Sequence, residues 1–203
     1  MDVKELRRRG TLAFFIVALL STVLIGQPDG RPVPPAEKSY DAELLLVIGS
    51  NDGARGDLPS NLTPVLKQIR SNFDFSSYRV ASSFVGRVAN TGSFEYKSVG
   101  SIFGRDSDTY PRSFLEWSLS NLRSSSSPGG QPSLQADSFR FGARIPVPTG
   151  GTSTEPTYSY ESIGLNLAKA GVSENVPTLI GTLNLPGAGG VIFLVMRVRS
   201  AHM

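Results

Sequence analysis

Apolar side chains fall along this chain in three patterns, and each predicts a different element. Residues 11–26, TLAFFIVALLSTVLIG, form an unbroken apolar run. At ~1.5 Å per residue it makes a helix of about 24 Å, near the short limit for crossing a bilayer. The run predicts a transmembrane helix in which Phe14, Phe15, Ile16, Leu19 and Leu20 supply the membrane anchor. Lys4, Arg7, Arg8 and Arg9 stand directly before it, and basic residues stay on the cytoplasmic side. Residues 1–10 are therefore expected to be a cytoplasmic basic tip, with everything after Gly26 outside. A cleaved signal peptide is the competing reading. It asks for a small-residue cleavage site, which Leu24, Ile25 and Gly26 do not provide.

The second pattern is a continuous apolar stretch too short for an isolated helix. ELLLVIG at 43–49 predicts a strand over 43–48 that is buried on both faces. VIFLVMRVRS at 191–200 is of the same kind, with Ile192, Leu194 and Met196 facing one way and Val191, Phe193 and Val195 the other. Such a strand belongs in the middle of a sheet or the core of a sandwich.

The third pattern is alternation. Val80, Phe84 and Val88 alternate with polar positions, and the turn Asn90-Thr91-Gly92 joins that segment to 93–99 as a predicted hairpin. Leu115, Trp117 and Leu119 share one face of 112–122. Phe139, Phe141, Ala143, Ile145 and Val147 oppose Arg140 and Arg144 on a half-buried strand, with Pro146 and Pro148 marking its end or an edge. Further strands are read over 157–167 and 176–185, and a tight turn over 186–190. Helical spacing occurs once more, at Leu62, Val65, Leu66 and Ile69, which predicts an amphipathic helix over 63–71 with Thr63 as N-cap and Pro64 in the first turn. Residues 27–41 read as a Pro-rich spacer and 123–133 as a low-complexity linker. The expected fold is mostly β: one N-terminal transmembrane helix, the spacer, and over 42–203 an extracytoplasmic antiparallel β-sandwich or half-open barrel with one amphipathic helix.

Charge alters this picture less than a pI near 9.3 suggests. Four of the 20 basic and two of the 17 acidic residues precede the apolar run, leaving 16 against 15 beyond it. No basic stripe is present to neutralise phosphates, so no nucleic-acid partner is expected. The chain has no cysteine, and its one histidine, His202, is the penultimate residue. A Ser-His-Asp triad needs an imidazole held in place, and His/Cys metal or haem sites need several such ligands. No catalytic residue, metal or cofactor is expected. No lysine follows an S-x-x-K pattern, and the Gly-rich stretches fail as phosphate cradles: 49–57, GSNDGARGD, lacks the Walker lysine, and Gly187-Ala188-Gly189-Gly190 sits in a hairpin rather than before a helix. Asp106 and Asp108 form the most compact carboxylate pair but lack further ligands and read as a turn. Arg55-Gly56-Asp57 reads as solvated loop. Large rings remain: Tyr96, Phe103, Tyr110, Trp117, Tyr158 and Tyr160 can fill a core or line a contact face. Tyr158 and Tyr160, beside a Thr/Ser/Gly loop, and Trp117 are the candidate interaction residues.

Residues 175–181, NVPTLIG, followed by the apolar strand 191–198, resemble the end of small extracytoplasmic β domains of bacteria. The stretch is also similar to the closing hairpin of secretin-type outer-membrane proteins. It contains no functional residue, and no secretin activity is carried over. In plan the chain resembles the accessory one-span subunits that flank bacterial photosynthetic reaction-centre and light-harvesting assemblies, a likeness of architecture without a shared motif. That resemblance implies a single-pass protein of the bacterial inner membrane with a periplasmic domain, partnered by lipid and by other membrane-protein subunits. It implies no bound pigment, since residues 11–26 hold no histidine. The resulting expectation is a non-catalytic structural or assembly subunit of a larger inner-membrane complex. A free-standing envelope module that binds glycan or peptide is the alternative, and a carboxylate hydrolase the third reading.

Overall fold

The computed structural model describes residues 37–53, 56, 58–101, 111–126, 132–152, 154–187 and 189–201. The chain divides into two units at Ala36 and Glu37, and all described residues belong to the second. The predicted transmembrane run, the anchor residues Phe14, Phe15, Ile16, Leu19 and Leu20, and the basic residues Lys4, Arg7, Arg8 and Arg9 lie outside the described residues. Among those described, no helix is long and apolar enough to cross a membrane.

Among the described residues, nine strands form two antiparallel sheets. The first has the order β2-β1-β9-β8, from β2 (Ser77–Ala89), β1 (Ser39–Ser50), β9 (Val191–Ser200) and β8 (Thr178–Asn184). The second has the order β3-β4-β5-β6, from β3 (Ser93–Gly100), β4 (Ser113–Ser126), β5 (Pro132–Gly151) and β6 (Pro156–Leu167), with the short β7 (Ala170–Ser173) continuing beside β5. The expected sandwich is present, and β1 begins at Ser39, so Tyr40 and Asp41 belong to the strand rather than to the spacer that composition suggests.

The two doubly apolar runs became the two central strands of the first sheet. Leu44, Leu46, Ile48, Ile192, Leu194 and Met196 face the second sheet, where they meet Leu115, Trp117, Leu119, Phe139, Phe141 and Ile145. Their alternate neighbours Leu45, Val47, Phe193 and Val195 face outward, against α1 (Thr63–Asn72). That helix places Leu62, Val65, Leu66 and Ile69 on the sheet, as its spacing requires. A 3-10 turn over Ser60–Leu62 leads into it, so Leu62 takes the N-cap position and the Thr63 hydroxyl donates to the Ser60 carbonyl instead of capping.

Two expectations are corrected here. First, β2 and β3 do not pair as a hairpin: β2 pairs with β1 and β3 with β4, so the connection at Asn90-Thr91-Gly92 passes from one sheet to the other. The two segments face each other through side chains, with the Phe84 and Tyr96 rings 5.2 Å apart, while the Phe94 ring of β3 lies perpendicular to Trp117 of β4 at 4.6 Å. Gly86 makes room for this, because a Cβ there would lie 2.8 Å from the Phe94 ring. Second, Val80 does not share a face with Phe84 and Val88. The β1–β2 ladder shifts register between Leu46 and Val47, and the extra residue on β2 reverses side-chain direction. Val80 packs with Tyr78 on the helix side, while Phe84 and Val88 enter the sandwich.

Candidate functional site

Coverage differs between the sheets, and that difference locates the site. Half of the first sheet's outer face lies under α1; the other half carries polar pairs, with Arg197 bonded to Glu43 and Arg87 to Asp41 at 2.8 Å. Hydrogen bonding to Arg87 is the main reason that the Asp41 carboxyl sits below its usual range. Among the described residues no layer covers the outer face of the second sheet, and two adjoining depressions lie on it.

The larger, of about 300 Å³, is lined by Lys97, Phe114, Glu116, Gly142, Arg144 and Ser162 among others. Strand alternation puts these on one face: Phe114 is paired with Arg144 and Arg144 with Ser162, while Lys97 is opposite Glu116 and Glu116 opposite Gly142. Gly142 and Gly164, adjacent across β5 and β6, form a floor without side chains. Glu116 leans over it, since a Cβ on Gly142 would be 2.9 Å from Glu116 Oε1. The second depression, of about 250 Å³, continues past Lys97 and Glu116 to Glu95, Ser118 and Arg140. Glu95 holds Lys97 at 2.9 Å, and this bond, with the charges of Glu95 and Glu116, raises the lysine's pKa.

At the first depression's rim the Arg144 guanidinium lies over two rings, 5.7 Å from the centroid of Phe114 and 5.6 Å from that of Tyr160. The rings are 5.6 Å apart and tilted by 54°. The Tyr160 hydroxyl donates to the Arg112 carbonyl at 3.1 Å, which fixes its ring from a third segment. Phe114 and Tyr160 remain 45% and 39% exposed, and Val99, paired with Phe114, 50%. Three apolar side chains thus stand where the alternation calls for polar ones.

Of the sequence candidates, Tyr160 is therefore in the cluster and Tyr158 is two positions earlier on β6, half-buried. Trp117 is elsewhere: it is 2% exposed, packed in the sandwich core against Phe94 and Phe139, and presents no contact surface. Phe114 and Val99 escape a reading that follows only the dominant apolar face. Their signal was the apolar residue out of step, Phe114 beside Leu115 and Val99 after Lys97.

The described residues offer little for other chemistry. Among them no group of three or more His, Cys, Asp or Glu is placed to hold a metal ion. Asp106, Asp108 and His202 lie outside the described residues. Ser50, nearly buried, donates to Asp52 at 2.6 Å and shares a 3.2 Å contact with Ser77, a network that ties β1 to the start of β2. What the outer face can do is bind: two rings and a guanidinium are the side chains that interfaces enrich.

No protein-family model and no curated protein sequence matches the chain. Among solved structures it is similar to InvG, the secretin of the Salmonella SPI-1 type III secretion injectisome (residues 176 to the end, open gate state), at 12% identity and a TM-score of 0.35, covering 95% of this chain and 66% of that one. It is also similar to PilQ, the type IV competence pilus secretin of V. cholerae, at 14% identity and a TM-score of 0.33, covering 80% and 58%. The chain spans less than two-thirds of the length of either. A likeness this distant assigns neither a fold nor a role.

Proposed function

We propose that the chain is a membrane-anchored, non-catalytic interaction subunit, held in a bacterial inner membrane by residues 11–26, whose β-sandwich docks onto other subunits of a larger complex on the periplasmic side. The observation that supports this reading is the exposed Val99–Phe114–Tyr160 patch on the otherwise polar outer face of the second sheet. Contiguous apolar side chains on a solvent-facing sheet cost solubility and are a mark of contact surfaces. The depressions beside it are shallow, and their carboxylates Glu95 and Glu116 attend to Lys97 rather than converging on an enclosed space, which favours a contact face over a hydrolase cleft.

Extraction from the native membrane in mild detergent tests the proposal. The wild-type chain should migrate in an assembly well above its own 21.7 kDa, and a Phe114→Ser/Tyr160→Ser double variant should leave it. Migration of the wild type alone would overturn the subunit reading in favour of a free-standing envelope module. The absorption spectrum of the assembly decides its kind, since bacteriochlorophyll bands are required of a photosynthetic complex.

A further inference from the structure

Arg144 is the most fully prepared side chain on this surface. It projects from the middle of β5, is exposed, and takes part in none of the ion pairs among the described residues. Its guanidinium is nonetheless held, because the rings of Phe114 and Tyr160 flank it from the two neighbouring strands and Tyr160 is itself tied to Arg112. An arginine fixed by stacking keeps its N–H fork available and loses little further entropy when it binds. That fork matches a carboxylate, with two parallel charge-assisted hydrogen bonds. The surrounding charges agree. Lys97 is occupied by Glu95 and flanked by Glu116, so those three leave one negative charge, whereas Arg140 and Arg144 add two positive ones.

From this geometry we infer that Arg144, with Phe114 and Tyr160, is a clamp for an Asp or Glu side chain of an extended polypeptide partner. The inference rests on the outer face being the contact surface, and it supplies the chemistry of what docks there. A polypeptide is favoured over a sugar chain by the rings themselves. Tilted by 54° and sharing one guanidinium, they offer no pair of coplanar faces for successive pyranose rings. Both flanking rings then cover the ion pair from water, which strengthens it.

The test is selection of random displayed dodecapeptides on the full chain in mild detergent, run in parallel on wild type, Arg144→Gln, Arg144→Lys and Arg140→Gln. All three substitutions are at exposed positions and leave the core untouched. Peptides recovered on wild type should carry Asp or Glu at one position at several times the library frequency. The enrichment should vanish on Arg144→Gln, fall sharply on Arg144→Lys, which keeps the charge but loses the fork, and persist on Arg140→Gln. A wild-type pool without acidic enrichment would overturn the inference, as would equal enrichment on Arg144→Gln. Full retention on Arg144→Lys would reduce the clamp to diffuse charge and overturn it too. Arg144-dependent binding of a uronate oligosaccharide with no peptide enriched would transfer the site to glycans. In each of these cases the loss of co-migration by the Phe114/Tyr160 double variant is read separately, so the docking face can stand while its assigned ligand falls.

Discussion

The two sheets share strand chemistry and differ in what covers them. In the first sheet, β1 and β9 bury both faces, one against the second sheet and one against α1, and their sequences are correspondingly apolar without a break. In the second sheet, β4 and β5 bury one face only, and their sequences alternate. The lesson is that a sheet face without a covering layer is where departures from alternation carry information. Leu45, Val47, Phe193 and Val195 on the first sheet's outer face are explained by the helix, whereas Val85, beside Glu43 on the uncovered half, is 59% exposed. On the second sheet's outer face, no helix among the described residues covers Phe114 and Val99, and the proposed contact role offers an explanation.

The same truncation on the two sheets should therefore have very different costs. Phe193 is fully buried on the helix side of β9 and meets Phe73 edge-on at 5.0 Å, so Phe193→Ala should destabilise by ~3–5 kcal/mol in denaturant unfolding. Ile69→Ala removes a fully buried side chain from the covering helix and should cost ~2–4 kcal/mol. If it costs nothing, α1 is not the layer that explains the first sheet's second apolar face. Arg197→Ala should cost about 1–3 kcal/mol, since it strands Glu43, whose side chain is only 15% exposed, leaving a 3.2 Å bond from Ser83. Phe114→Ala on the bare face should change stability by less than about 1 kcal/mol while weakening partner binding, and a core-like loss would end the comparison.

The smallest effect concerns pH. Asp41 has a folded pKa below its ordinary value, so its contribution is complete above about pH 4 and is lost as pH falls through the lowered value. Wild type should accordingly exceed Asp41→Asn in stability by a margin that is constant near neutrality and shrinks in acid, measured by thermal melts across that range. A margin that grows on acidification would mean that the Arg87 contact does not hold the carboxylate. Both groups are open to solvent, so the margin is small.

Much of the architecture was legible because local pattern reports burial. Leu115, Trp117 and Leu119 on one face of β4, and Phe139 to Val147 on one face of β5, are buried where alternation places them. The helix follows from its spacing, and Pro146 and Pro148 do sit where β5 has run past the paired length of β4. β7, four residues long, was too short to show a period. Of the site, Tyr160 was legible as an exposed ring beside a polar loop. Arg144 was visible as a polar-face residue and nothing more, because its stacking partners come from β4 and β6, which lie some 15 to 30 positions away in sequence.

Periodicity states whether a side chain will be buried, since burial follows from which way each residue points and how apolar it is. It does not state against what. The pattern at Val80, Phe84 and Val88 is that of one strand face, yet one added residue at the β1–β2 register shift sends Val80 to the helix and the others to the sandwich. A turn of Asn90-Thr91-Gly92 suits a hairpin, yet pairing of β1 with β2 and of β3 with β4 left it as a crossing between sheets. Trp117 has the chemistry of a contact residue and lies in the core, while Phe114, three residues earlier, has the chemistry of a core residue and lies in solvent. Composition and spacing thus pointed to a mostly β domain, a sandwich or half-open barrel, with one amphipathic helix. Which face stayed bare, and the meeting of Phe114, Arg144 and Tyr160 on it, came from strand order and register, which are set by long-range pairings that no local window contains.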